Sequence, residues 1–348
     1  MRYDRFINVV SAARRVSPIR RLTDITIAGG PDFISFGTGS PNSNCFPFKS
    51  IQIKTKSGFE FELKDASLNQ ALNYGPTTGL TDLVAKLHEL QVRLHNPATA
   101  LVNGPEKLDL LVTPGGQAGL NKIFDMCLQP NDSILIEEPT YPGTLASDAI
   151  PSFLSLDNDG RVLRLDSLSK VMSSGIRLGF VSGPSELIMR LMLHLQVSSL
   201  QCSSLGQALV MHLLNYWGVD GFLEHGRSVA AFYRSQCDLM MAAADKYLAD
   251  YLEWSEPSGG MFLWFKAKRV ADTSQMIAEK ALSKQVLLAP GNLFFCDEDK
   301  PSAYMRASFS TASAAQMDEV GVDRSLNNQS AERHGNCGRS DLLELHWF

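Results

Sequence analysis

The chain is short of several features, and each shortage narrows what it can be. No apolar run reaches the length of a membrane-spanning helix, so nothing points to an integral membrane protein. The six cysteines, Cys45, Cys127, Cys202, Cys237, Cys296 and Cys337, contain no C-x-x-C pair. That pattern favours a reduced compartment over a disulfide framework. The seven histidines lack metal-ligand spacing. His88 and His95 could share a helix face, but no acid or thiol completes a ligand motif there. An excess of positive charge is missing too, since the net charge is −5. Nothing global therefore attracts nucleic acid or an anionic membrane. No internal repeat is visible, which argues against a solenoid.

What is present is ordinary for a globular protein: 348 residues, 44% hydrophobic and 20% charged, enough for two domains and a sizeable core. The first 25 residues hold six arginines against two aspartates. An Arg-rich, acid-poor start of this kind suits a mitochondrial transit peptide, or equally a solvated basic arm. Beyond Glu319 the texture turns polar, rich in Ser, Asn, Arg and Gly, and most of that tail is expected to be poorly ordered.

Between these ends, strands and helices alternate. Residues 108–113 read as a strand, Gly115-Gly116 as a turn, and 117–128 as a helix with apolar residues at Leu120, Ile123, Phe124 and Leu128. Short strands are expected at 133–137, 162–165, 176–181, 260–266 and 285–289. Amphipathic helices are expected at 185–195, 204–216 and 226–248. Strand, glycine turn and helix in repetition predict an α/β fold with a mainly parallel sheet and flanking helices.

Within this frame LDSLSKVMSSGIRLGF, residues 165–180, asks for an explanation. Lys170 has no acid in the ten residues after it, and Arg177 follows seven positions on. Ser167 and Ser169 offer hydroxyl donors and Arg177 a planar cation, a set that suits a phosphate. An amine beside such a site can condense with a cofactor aldehyde. Taken alone, a lysine in a polar surface loop explains it better. Gly116 and Gln117 open a helix after a strand, where free N–H groups bind anions. Tyr141 closes a strand where a flat ring could stack on it, or where it could fill the core. Glycine loops surround Gly39 and Tyr74, and Arg306 lies among apolar neighbours, where it needs an anionic partner.

Taken together, these segments resemble the fold type I, pyridoxal-phosphate-dependent aminotransferases. Within that family they are most similar to the animal mitochondrial branch acting on kynurenine and 2-aminoadipate. The strings SPIR (17–20), FPFKS (46–50), LQVRLHNP (90–97), AAADKYL (242–248) and GGMFLW (259–264) carry the likeness. The resemblance implies pyridoxal 5′-phosphate as cofactor and Lys170 as the lysine that binds it covalently and moves the proton. It implies Ser167, Ser169, Arg177, Gly116 and Gln117 as the phosphate cradle, and Tyr141 as the ring that stacks on the pyridine. It also implies Arg306 as the clamp for the substrate α-carboxylate, Arg20 and Gly39 as substrate contacts, and Tyr74 as a phosphate and substrate contact reaching in from a second subunit. The implied protein is a homodimer acting on small amino acids and 2-oxo acids, with no nucleic-acid or membrane partner. Its place is the mitochondrial matrix, with the cytoplasm as the alternative.

The likeness has a gap between Ala146 and Pro151. Family members carry an N-P-x-G and a D-x-x-Y motif ahead of the lysine strand, and neither occurs here between Tyr141 and Lys170. The expected layout is an arm with part of the small domain over 1–45, and an incomplete cofactor-binding large domain over 46–215. A smaller α/β domain follows over 216–319, then a divergent tail over 320–348. Two outcomes are open at this level: an aminotransferase, or an impaired chain that serves only as a non-catalytic dimer partner or does not fold stably. In the second case the strand at 133–137 would lack its ladder partner.

Overall fold

A computed structural model of the chain describes residues 1–29, 39–135, 151–295, 297 and 299–321. Tyr141, Asp148 and the tail beyond residue 321 lie outside the described residues. The elements, in order, are α1 (Val9–Ala13), α2 (Pro18–Ala28), β1 (Ser50–Lys54), β2 (Glu60–Lys64), α3 (Asp65–Leu72), α4 (Thr81–His95), β3 (Leu108–Thr113) and α5 (Gly116–Cys127). They continue with β4 (Arg164–Ser167), β5 (Gly179–Pro184), α6 (Ser185–Ser198), α7 (Ser204–Tyr247), β6 (Leu252–Trp254), β7 (Phe262–Ala267), β8 (Ala289–Pro290), β9 (Tyr304–Ser308) and α8 (Ala314–Gly321). Two units result: Met1–Ser133 with Pro151–Gly226 forms one, and the chain from Arg227 on belongs to the other.

The first unit is built around a three-stranded sheet in the order β3-β5-β4. β5 (GFVSGP) is buried along its whole length, as a central strand covered on both faces must be. Its neighbours are an equally apolar β3 and a shorter, half-buried β4. Helix α6 lays Leu187, Ile188, Leu191 and Leu195 against Leu111 and Val181 on one face. This is the i, i+4, i+8 stripe of an amphipathic helix. On the other side Leu83, Leu87 and Leu90 of α4 join Val112, Phe180 and residues of α7. Each leucine so buried contributes roughly 1.5–3 kcal/mol relative to exposure. Helix α4 ends where Asn96 takes the left-handed conformation (φ 41°, ψ 50°) ahead of Pro97. The chain's Asn-Pro pair is thus a helix stop.

Three expectations are corrected here. The sheet was expected to be mainly parallel, yet β5 is antiparallel to both β3 and β4. The reason is the short turn from β4 to β5, which returns the chain alongside itself. β3 and β4 still share a direction, with β5 reversed between them. Second, residues 133–135 of the strand expected at 133–137 have no regular structure, and Leu135 is fully exposed. A lone strand has nothing to pair with, and among the described residues β4 pairs only with β5. Third, of the segment 285–289 only Ala289 is in a strand, the two-residue Ala289–Pro290. Elsewhere the differences are boundaries, apart from the two helices expected at 204–216 and 226–248. These run together as α7, broken in direction at Gly218 (φ 65°, ψ −174°).

The second unit has its own core. Its sheet, β6-β7-β9-β8, is antiparallel throughout. Leu263, Phe265, Met305, Ala307 and Phe309 fill one face with Ala244, Leu248 and Ile277.

Two predictions follow from burial. The Cys202 thiol is buried and donates to the Val112 carbonyl at 3.4 Å, and burial pushes its pKa up to about 12. Cys45 is exposed. Iodoacetamide at neutral pH should therefore alkylate Cys45 and spare Cys202 until the chain is unfolded, as peptide mapping will read. His95 and His194 both have pKa values held below the usual imidazole range, chiefly by burial and secondly by Arg164 and Arg14 respectively. A depressed folded value means the unfolded state binds the proton first. Stability should hold above the unfolded value, near 6.5, and fall as pH drops below it. Melting curves between pH 8 and pH 5 should show this fall, and it should shrink in His95→Asn.

Candidate functional site

The strand register gathers one end of the first unit's sheet at a single residue. Gly179 pairs with Thr113 of β3 on one side and with Ser167 of β4 on the other. Helix α5 begins immediately beyond β3. A side chain at Gly179 would put its Cβ 2.6 Å from the Asp166 carbonyl oxygen and 2.9 Å from both Gly115 C and Gly116 N. Backbone occupies that space on both flanks, so any side chain at position 179 forces the backbone to shift. The same closeness brings the start of α5 against the end of β4: a Cβ on Gly116 would lie 3.5 Å from Ser167 Cβ.

Gly115 makes the turn into α5 with φ 87°, ψ 166°. No side chain caps that helix. The amides of its first turn have no intrahelical partner and carry the positive end of the helix dipole. Arg177 faces them, for a Cβ on Gly115 would stand 2.7 Å from its Nη2. Its Nη1 donates to Ser169 Oγ at 3.3 Å and to the Ser174 carbonyl at 3.2 Å. The backbone at Arg177 is left-handed (φ 54°, ψ 43°), a conformation that costs a non-glycine residue on the order of 1 kcal/mol or more. Ser167 Oγ accepts from the Ser169 amide at 3.3 Å. Thr113 Oγ1 donates to the Gly115 carbonyl at 3.0 Å and steadies the turn from below.

The result is a set of donors gathered at one sheet end: helix amides, two serine hydroxyls and a guanidinium. It is the donor chemistry that a phosphate dianion requires. Lys170 stands in the turn between Ser169 and Val171 and is exposed. Gln117 is exposed at the helix start and donates to Asn121 Oδ1 at 3.0 Å.

The remaining residues singled out in the sequence are placed as follows. Arg20 is 3% exposed, its Nη2 donates to the Gly75 carbonyl at 2.6 Å, and its buried Nε has no partner. Tyr74, beside Gly75, is exposed, and its amide donates to Asn73 Oδ1. Gly39 is exposed with open space around it. Arg306, in the second unit, lies 4.0 Å from the Phe262 ring centroid and 4.6 Å from that of Phe294. Two aromatic faces hold its guanidinium.

Sequence reasoning missed Thr113 and Gly179. The signal for Gly179 was in plain view, a glycine two residues after Arg177, but its necessity comes from neighbours distant in sequence.

The aspartates between residues 151 and 170 are all engaged. Asp157 is buried and accepts from the amides of Gly160, Arg161 and Val162. Asp159 pairs with Arg161, and Asp166 with Arg164 and Gln91. The donors at the α5 start thus fit a phosphate such as that of pyridoxal phosphate, and none of these three carboxylates is free for a pyridine nitrogen.

Comparison with known proteins decides the family. The family model for aminotransferase class I and II matches residues 143–321, half of the chain. The chain belongs to the class I and II aminotransferases. It is 36% identical to the mitochondrial kynurenine/alpha-aminoadipate aminotransferase of Mus musculus, over 91% of this chain and 97% of that one. The Bos taurus enzyme of the same name is 37% identical over the same shares. The alignment with each runs over 413 positions, more than the 348 residues here, so the relatives carry segments that this chain lacks.

Among solved structures, aminotransferase Aro8 from Candida albicans superposes with a TM-score of 0.75 at 21% identity, covering 91% of this chain and 95% of that one. A kynurenine aminotransferase from Pyrococcus horikoshii, solved with PMP, gives 0.66 at 20% identity, with the same coverage. These likenesses establish the fold as that of the fold type I aminotransferases. The aminotransferase is therefore a transferase, and among its described residues no helix is long and apolar enough to cross a membrane.

Gly179 tests the geometry. Gly179→Ala should destabilise the protein by about 1–3 kcal/mol, as overpacking against rigid backbone does. It should also weaken inorganic phosphate binding at the α5 start. Thermal melts and phosphate titration measure the two effects.

Proposed function

We propose that this aminotransferase moves the amino group of kynurenine or 2-aminoadipate to a 2-oxo acid such as 2-oxoglutarate. We further propose pyridoxal 5′-phosphate as its cofactor, a homodimer as its working state and the mitochondrial matrix as its place. The observation that carries the reading is the strand-end cluster of Gly116, Ser167, Ser169 and Arg177 beside Lys170. The names of the mammalian relatives support the substrates and the compartment. The alternative of a purely non-catalytic dimer partner is not favoured by those relatives.

In this reading the α5 amides, with Gly116 and Gln117 at their head, bind and orient the phosphate, and the two serines and Arg177 neutralise it. When bound, the cofactor would supply an electron sink for the substrate Cα. Lys170 Nζ would hold the cofactor aldehyde between turnovers and would take the proton from the substrate Cα. Arg306 binds the substrate α-carboxylate, and its fixed plane suits a bidentate pair. Arg20 offers its unpaired Nε, and Gly39 an unobstructed backbone, to the rest of the substrate. Tyr141, which lies outside the described residues, would be the ring's stacking partner. Tyr74, exposed, reaches the phosphate or substrate of a second copy.

Incubation with pyridoxal 5′-phosphate followed by borohydride should attach a phosphopyridoxyl group to Lys170, located by peptide mass mapping. Kynurenine should then be consumed with 2-oxoglutarate by the wild type and not by Lys170→Ala. A label spread evenly over the exposed lysines would overturn the reading.

A further inference from the structure

The turn that carries Lys170 is tied to its own strands at its base. The Leu168 amide donates to the Leu178 carbonyl at 3.1 Å, and the amides of Met172 and Ser173 donate to the Leu168 carbonyl at 2.9 and 3.3 Å. The carbonyl of Val171, one residue past the lysine, takes a different partner. It accepts from Nε2 of His225, 54 positions away on α7, at 2.8 Å. A carbonyl oxygen can only accept, so this bond sets the imidazole tautomer with the proton on Nε2.

The ring that makes this bond is itself held. It stacks on Trp217 with centroids 4.9 Å apart and planes 22° apart. Trp217, Leu223 and Phe222 belong to the same core as Val171, Met172 and Ile176. The break at Gly218 falls between the two stacked residues. A packed side chain on a helix thus reaches the backbone of an exposed catalytic turn. Around it, Ser173, Ser174 and Gly175 are exposed and supply little packing of their own.

We propose that His225 is a positioning residue for Lys170. By fixing the carbonyl of Val171, the residue after the lysine, it steadies the backbone from which the exposed amine leaves the turn toward Ser167, Ser169 and Arg177. The proposal rests on the reading of Lys170 as the cofactor-binding amine. A lysine side chain has many rotamers, and its effective reactivity with a bound group depends on how many of them point the right way. An anchor one peptide bond away removes freedom at the root of the chain, where a small rotation moves the amine furthest.

The test separates the cradle from the amine. Pyridoxine 5′-phosphate has the ring and the phosphate but no aldehyde, so its affinity, by calorimetry, reports the cradle alone. Borohydride-trapped attachment of pyridoxal 5′-phosphate at Lys170 reports the amine. His225→Phe keeps a ring on Trp217 and removes the N–H; His225→Gln restores a donor at the reach of Nε2. Attachment in His225→Phe should fall roughly five- to tenfold, the worth of one hydrogen bond. Its pyridoxine 5′-phosphate affinity should stay within about twofold, and His225→Gln should recover most of the attachment.

Wild-type attachment in His225→Phe overturns the inference. So does a loss of pyridoxine 5′-phosphate affinity as large as the loss of attachment with no rescue by His225→Gln, since His225 would then be packing alone. If His225→Phe does not fold, His225→Met, apolar and without a donor, takes its place against His225→Gln. Absence of a Lys170 label in the wild type overturns the reading of Lys170 and this inference with it. A labelled wild type with indifferent variants overturns this inference alone.

Discussion

The proposed site depends on how closely three backbones meet at Gly179. The glycine is pinned from both sides by ladder partners, Thr113 and Ser167, and is pressed against the Asp166 carbonyl and the Gly115–Gly116 peptide. Backbone cannot be trimmed to make room, so the contact is all or nothing. Where it is made, the first turn of α5 and the last residue of β4 are neighbours, and donors from both lie at one sheet end. The left-handed Arg177 then supplies the charge. Its strain persists because the strand that follows it is buried along its length and holds the register.

The antiparallel pairings do not disturb this arrangement. β3 and β4 run in one direction on either side of β5, so their carboxyl ends lie at the same edge of the sheet. Ligands of α/β sheets gather at that edge because helices begin there and loops are free to vary. Here β3 contributes the helix start and β4 contributes Ser167 and the turn with Lys170. β5 serves as the spacer between them and delivers Arg177 just before it begins. The cluster is thus assembled by pairing, while its chemistry comes from the turns. The stability of the sheet and the precision of the site are for this reason hard to vary independently.

Much of this was legible in the residues. The strand at 108–113 and the helix after Gly115-Gly116 follow from apolar periodicity and glycine chemistry, which are local. So does the grouping of hydroxyls and guanidinium about Lys170, because they are close in sequence. What was not legible has a common cause in long-range pairing. Strand direction at β5 depends on how a turn closes, and residues 133–135 fail as a strand because none of the described residues pairs with them. The aromatic cradle of Arg306 joins residues from three elements of the second unit, and the bond from His225 to Val171 spans 54 positions. The three aspartates near the lysine show the same limit. Their presence is plain in the sequence, but their engagement with Arg161, Arg164 and local amides is a matter of turn geometry.

By itself the sequence determined the chemical inventory: an amine, two hydroxyls and a guanidinium in one short turn, a glycine-led helix, and a family likeness that covers nearly the whole chain. It did so because residue identity and near-neighbour spacing need no folding to be read. The tertiary structure alone decided which of these groups meet, through the ladder at Gly179, and which are already taken, as Asp157 and Asp166 are. Those outcomes depend on distances between segments far apart in the chain, and only packing sets them.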